Sequence, residues 1–140
     1  MGTILWVDDD LDDFPAVRRA IVKTEEQLKP AYSIREAVDW LKEGSEPSAV
    51  ILDAYTPLGG YVVKSDNHGS SSGEPPRRYT GLLLLAEFPA LKRRTIFLTI
   101  VPKDNLIQAG LDPAVKFFSK LDLGPHLEDF KKDLEQLVTA

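Results

Sequence analysis

The chain has 140 residues, 43% hydrophobic and 28% charged, with a net charge of −5: enough for one domain with a real core, and too acidic to favour a phosphate-binding nucleic-acid surface. It has no cysteine, which excludes disulfides, thiolate metal sites and thiol catalysis and fits a reducing compartment. No apolar run reaches membrane-spanning length, and the N-terminus lacks the basic and apolar regions of a signal peptide, so a soluble, cytoplasmic, single domain over residues 1–140 is expected.

The first element is TILWV, Thr3 to Val7, a strand with no in/out polarity and therefore buried on both faces. A helix is expected from Asp12 to about Leu28, with Phe14, Val17, Ile21 and Leu28 on one stripe and Pro15 tolerated in its first turn. A short strand follows near AYSI. SIREAVDWLKEG reads as a helix, with Ser33 and Glu36 in a capping-box pattern and Gly44 as its stop. SAVILD (48–53), TIFLTI (95–100) and AVKFFSK (114–120) read as further strands. HLEDFKKDLEQLV carries Leu127, Phe130, Leu134, Leu137 and Val138 at helical spacing. Apolar strands alternating with helices indicate βαβ units and a parallel sheet covered on both faces. One stretch breaks this rhythm. The segment from Tyr55 to Tyr79 is rich in Gly, Ser and Pro and longer than an ordinary βα loop, so residues 58–79 or so read as an insertion, most mobile around Asn67–Gly73.

In sheets of this kind ligands bind at the carboxyl ends of the strands. Asp8 and Asp9 end the first strand, Asp53 ends the third, Thr99 lies at the end of the fourth and Lys120 at the end of the fifth. Packed carboxylates need a counter-charge. A hard divalent cation such as Mg²⁺ supplies one, since it prefers oxygen ligands. An ammonium and a hydroxyl complete a set suited to a phosphoryl group, with one carboxylate as nucleophile.

On the residues LWVDDD, VILDAYTP, YTGLLLL, IFLTI and FFSK, the sequence resembles a response-regulator receiver domain of two-component signalling, over essentially the whole chain apart from the insertion. The resemblance implies a doubly wound, flavodoxin-like fold: a five-stranded parallel sheet in the order 2-1-3-4-5. It implies that Asp53 is the phosphoacceptor, with Pro57 four residues on, and that Thr99 and Phe117 are the switch pair. Lys120 becomes the conserved-type lysine of the site. Asp9, Asp53 and the backbone carbonyl of Tyr55 become ligands of Mg²⁺ or Mn²⁺, with Asp8 acting through water. The implied partners are a histidine kinase or phosphotransfer protein and a downstream protein, with a possible homodimer through the face of the fourth helix, fifth strand and fifth helix. Neither nucleic acid nor membrane insertion is implied, and the chemistry is at most self-catalysed phosphorylation and dephosphorylation rather than that of an enzyme.

Three departures stand out. Ile100 occupies a position that is usually small, where it could crowd the site. Leu121 replaces a proline that is often cis, so a trans bond and a shifted loop are expected. The helix after TIVPKDNL is short, ending near Gly110, which reduces the switching face. Simpler roles are expected elsewhere: Asp12 and Asp13 as N-terminal caps of the first helix, Asp10 with no role, His68, His126 and the PPRRY cluster at the surface, and Trp6 and Trp40 in the core. Two other functions compete. One is a receiver-like interaction module that is never phosphorylated. The other is a haloacid-dehalogenase-type phosphatase using Asp8 and Asp10, which leaves Asp53 unexplained and lacks a second acidic pair after the lysine.

Overall fold

The computed structural model describes residues 2–62 and 79–140. Five parallel strands, β1 (Thr3–Val7), β2 (Gln27–Ala31), β3 (Ala49–Leu52), β4 (Thr95–Thr99) and β5 (Lys116–Ser119), form one sheet in the order β2-β1-β3-β4-β5. This is the doubly wound order expected from the sequence. The helices are α1 (Pro15–Lys23), α2 (Ile34–Lys42), α3 (Thr80–Glu87), α4 (Lys103–Gln108) and α5 (Leu123–Thr139).

The apolar strands are apolar because both faces are covered. Side chains alternate along a strand. Ile4, Trp6, Ile51, Ile96 and Leu98 therefore join Val17 and Ile21 of α1 and Phe130 and Leu134 of α5. Leu5, Val7, Val50, Leu52 and Phe97 join Ala37, Val38 and Leu41 of α2, Leu84 of α3 and Leu106 of α4. Trp6 is fully buried and Trp40 packs against the second of these cores, as expected.

The segment between β1 and α2 departs from the sequence reading. Residues Leu11–Asp13 form a separate 3₁₀ turn, and α1 starts only at Pro15 and stops at Lys23. The hydroxyl of Thr24 turns back to the carbonyl of Ile21 at 2.6 Å, and Glu25 takes a left-handed φ of 66°, which ends the helix. Leu28 therefore lies in β2, not on the helical stripe. The strand expected near AYSI sits earlier, at Gln27–Ala31, while Ile34 already belongs to α2. β2 was hard to read because it is an edge strand with half-exposed, polar positions and Pro30, which an edge accommodates.

Asp12 and Asp13 do not cap α1. The cap position is Phe14, which offers no side-chain acceptor. Asp12 instead pairs with Arg18 at 3.1 Å and accepts a hydrogen bond from the Tyr32 hydroxyl. The capping box of α2 is present: the Ser33 hydroxyl accepts from the Glu36 N–H at 3.2 Å, and the Glu36 carboxylate accepts from the N–H of Tyr32, one residue earlier than the motif predicts. Gly44, at φ 94°, follows the helix end as expected. α4 has six residues and ends before Gly110, so the short helix read from the sequence is short. The stretches Asn67–Gly73, His68 and Pro75–Arg78 lie outside the described residues.

Candidate functional site

The carboxyl ends of β1, β3, β4 and β5 meet on one rim, because parallel strands in register finish together. Asp8 follows β1 directly and is fully buried; Asp53 follows β3 and is 5% exposed. Their backbones are tied across the sheet, with the Asp53 N–H donating to the Val7 carbonyl at 3.0 Å and the Asp8 N–H to the Ala31 carbonyl at 2.9 Å. Lys120 crosses from the end of β5. Its ammonium lies 2.9 Å from Asp8 Oδ2 and 3.1 Å from Asp53 Oδ2, and its side chain is 6% exposed. The remaining oxygens accept backbone donors: Asp10 N–H to Asp8 Oδ1 at 2.8 Å and Tyr55 N–H to Asp53 Oδ1 at 3.2 Å. Three of the expected residues are thus brought together by one charge.

The electrostatics follow from burial. Burial pushes the Asp8 carboxyl up to about 6; the ammonium of Lys120 and the Asp10 N–H oppose this, and the charge of Asp53 adds to it. Burial by itself pulls the Lys120 ammonium down, but its bonds to Asp8 and its attraction to Asp53 outweigh that and hold it above the ordinary lysine range. One ammonium is shared by two buried carboxylates, so the pocket retains negative charge.

Asp9 is exposed beside them. One carboxylate oxygen each from Asp8, Asp9 and Asp10 fall within 4.8 Å of one another. Asp10, given no role from the sequence, therefore belongs to the acidic rim. Its place comes from the turn that returns its N–H to Asp8, which spacing alone does not reveal. The donors here are carboxylate oxygens, one of them buried and short of compensating charge, and this chemistry fits a hard divalent cation.

Thr99 is fully buried at the end of β4; its hydroxyl oxygen accepts from the Val101 N–H at 3.3 Å, which leaves the hydroxyl hydrogen free to donate. Phe117 is half-buried against the α2–α3–α4 core, whereas Phe118 packs into the opposite core, edge-on to Phe130 at 5.4 Å. The alternation of β5 thus separates the two phenylalanines. Ile100 is 54% exposed, so its bulk is not packed into the buried floor of the site. The Lys120–Leu121 bond is trans, and β5 leads through a 3₁₀ turn, Lys120–Asp122, straight into α5.

Backbone packing fixes the floor beneath Asp53. The Gly81 N–H donates to the Ala54 carbonyl at 3.1 Å, and a Cβ at Gly81 would lie 2.7 Å from the Asp53 carbonyl oxygen. The hydroxyl of Thr80 donates to the carbonyl of Thr56, and that of Thr56 to the Asp53 carbonyl at 3.2 Å. The rest of the loop docks on α2: the Ile34 and Arg35 N–H groups donate to the carbonyls of Pro57 and Leu58 at 2.8 and 3.0 Å. The insertion therefore begins as an anchored strap on α2. Its return at Tyr79 places that ring 5.6 Å from Tyr55.

No protein-family model and no curated protein sequence matches the chain. Solved structures do. A response regulator from Thermotoga maritima is 22% identical, with 96% of this chain and 98% of that one covered at a TM-score of 0.61. A response-regulator receiver domain from Clostridium thermocellum is 18% identical, with 99% and 95% covered at 0.64. The Mn²⁺-bound form of the response regulator Rcp1 is 22% identical, with 98% and 91% covered at 0.60. The chain has the fold of response-regulator receiver domains along nearly its whole length. No helix among the described residues is long and apolar enough to cross a membrane.

Proposed function

We propose that this chain is a phosphoryl-accepting receiver, in which Asp53 takes a phosphoryl group and the change biases a partner-binding surface. The observation that carries this reading is the convergence of Asp8, Asp53 and Lys120, from three strand ends, on one buried ammonium. A carboxylate oxygen of Asp53 attacks phosphorus and forms an acyl phosphate, and the donor departs as its leaving group. Lys120 stands where it can pair with a phosphoryl oxygen, and Thr99 has a hydroxyl hydrogen to donate to another. A bound divalent cation, Mg²⁺ or Mn²⁺, supplies neutralisation of phosphoryl charge; Asp8, Asp9, Asp53 and the carbonyl of Tyr55 are the residues that would hold it.

The donor would be a histidine kinase, a phosphotransfer protein or a small acyl phosphate. Tyr55, Ile100 and Leu121, each just beyond a strand end of the rim, are 48%, 54% and 80% exposed and offer apolar surface for a protein donor. Cytoplasmic signalling is the setting this reading implies.

The test is mass spectrometry of the intact chain after incubation with acetyl phosphate and Mg²⁺. One added phosphoryl group, absent in Asp53→Asn, is the expected result. No added mass, together with Mg²⁺ binding unchanged by Asp53→Ala, would leave an unphosphorylated interaction module. Turnover of a small phosphomonoester that survives Asp53→Asn but not Asp8→Asn would instead favour the phosphatase.

A further inference from the structure

Phe14 stands where α1 would ordinarily carry a capping Ser, Thr, Asp or Asn, and two aspartates lie immediately before it. The helix gives up that cap. Pro15 disfavours the helical region for the residue before it, and Phe14 lies outside that region at φ −125°, ψ 69°. The ring so directed packs on the α1–α5 core and lies 5.1 Å, centroid to Nζ, from the ammonium of Lys120. That ammonium has Asp8 Oδ2 and Asp53 Oδ2 as its ionic partners and is almost wholly shielded from water. The aromatic face is a third, uncharged partner for the cation.

We infer that Phe14 is a positioning residue for the phosphoryl-accepting site, its ring holding the Lys120 ammonium against Asp53. The inference rests on the function proposed above for its effect on rate, though the placement of the ammonium stands apart from it. A carboxylate in the place of Phe14 would cap α1 better but would compete for the ammonium. A ring attracts the cation without accepting a proton from it and without giving it an alternative anion. The ring matters most when Asp8 is engaged elsewhere, because one of the two ionic ties on Lys120 is then weakened and the ring face remains.

Two variants separate the ring from mere bulk: Phe14→Tyr keeps the aromatic face, and Phe14→Leu keeps an apolar side chain without it. The first readout needs neither cation nor phosphodonor. In ¹⁵N-labelled protein the Lys120 ammonium should give a signal in slow exchange with water, retained in Phe14→Tyr and broadened away in Phe14→Leu. The second is the rate at which Asp53 gains phosphoryl mass from acetyl phosphate at saturating Mg²⁺, expected near wild type in Phe14→Tyr and roughly tenfold lower in Phe14→Leu. If the wild-type ammonium exchanges as fast as a surface lysine's, or if Phe14→Leu matches wild type in both readouts, the inference is overturned. If even the wild type gains no phosphoryl mass, the proposed function falls, and the ammonium signal alone then decides the role of Phe14.

Discussion

Over β1 and β3 the rim of the sheet is tied down from several directions. Asp8 and Asp53 are bonded to backbone N–H groups and share one ammonium, and Asp53 rests on α3 through Gly81. Over β4 and the outer face of β5 the rim is built more loosely. The Thr99 hydroxyl has a single hydrogen bond, from the Val101 N–H, α4 runs for only six residues, and Phe117 is only half-buried. The ionic half holds charge that needs compensation; the other half holds side chains with fewer polar ties. The function proposed above would use both kinds of construction, because a rigid half fixes the chemistry and a soft half can respond to it.

Lys120 separates the two halves of the rim most directly. Lys120→Ala leaves two buried carboxylates without their cation, and the cost in the cation-free protein at neutral pH is expected to be on the order of 3 kcal/mol, read by urea unfolding. The same variant should bind Mg²⁺ more tightly than wild type by calorimetry, since the ammonium no longer shares Asp8 and Asp53. A stable variant with unchanged Mg²⁺ affinity would mean that Lys120 is not the counter-charge of the pocket.

Asp8 tests the same half through pH. Its folded carboxyl titrates near 6, above the ordinary value of 3.8, so the native state holds the proton more firmly than the unfolded chain. Its contribution to stability is therefore most favourable below about pH 4 and is eroded as pH rises through 6. Relative to Asp8→Asn, the cation-free wild type should lose on the order of 3 kcal/mol between pH 4 and pH 7. Lys120 titrates well above this window and does not blur it. A difference that stays flat with pH would show that Asp8 is not held in the environment described. Added Mg²⁺ should reverse the loss at pH 7.

Gly81→Ala carries a smaller effect. The nearest atoms to the new methyl are backbone, the carbonyl of Asp53 and the Cα of Ala54, and neither can rotate away. Overpacking of about 1–3 kcal/mol is offset by about 1 kcal/mol of better helix propensity in α3, leaving a net loss of up to about 2 kcal/mol. Because the strain falls on Asp53 itself, the phosphorylation rate should fall more than the stability does. If both are unchanged, α3 does not position Asp53.

How far these parts could be read in the sequence follows the same division. Buried elements write themselves plainly: both-face burial makes β1, β3 and β4 apolar but for threonines at their ends, and the strand order matches the one the resemblance implies. β2 carries a weaker signature because an edge strand need not be apolar, and Leu28 fits a helical stripe as well as a strand. Asp8, Asp53 and Lys120 were legible because strand ends converge in any parallel sheet. The compensation of two carboxylates by Lys120 was not, since the sequence alone invites a metal to do all of it. Phe14 was read as one more apolar residue on a helix, although it lies before α1 and over the ammonium. Gly81 lies inside YTGLLLL, but its role depends on a backbone contact that no spacing encodes.

The smallest effect is expected in the soft half, and it is the most informative about switching. Phe117 and Phe118 are neighbours on β5 yet face opposite cores, Phe118 edge-on to Phe130 and Phe117 against the core that includes α2, α3 and α4. Phe117→Leu should cost less than about 1.5 kcal/mol, and less than Phe118→Leu, which also forfeits an aromatic pair. Thermal unfolding of the two variants side by side checks the ranking. A fluorine label on each ring sharpens it: with beryllofluoride and Mg²⁺ the Phe117 signal should shift and the Phe118 signal should stay. In Thr99→Val the Phe117 shift should disappear, because the hydroxyl that would couple Asp53 to β4 has been removed. Equal shifts at both rings would mean that β5 moves as a body and that the two halves of the rim are not mechanically distinct.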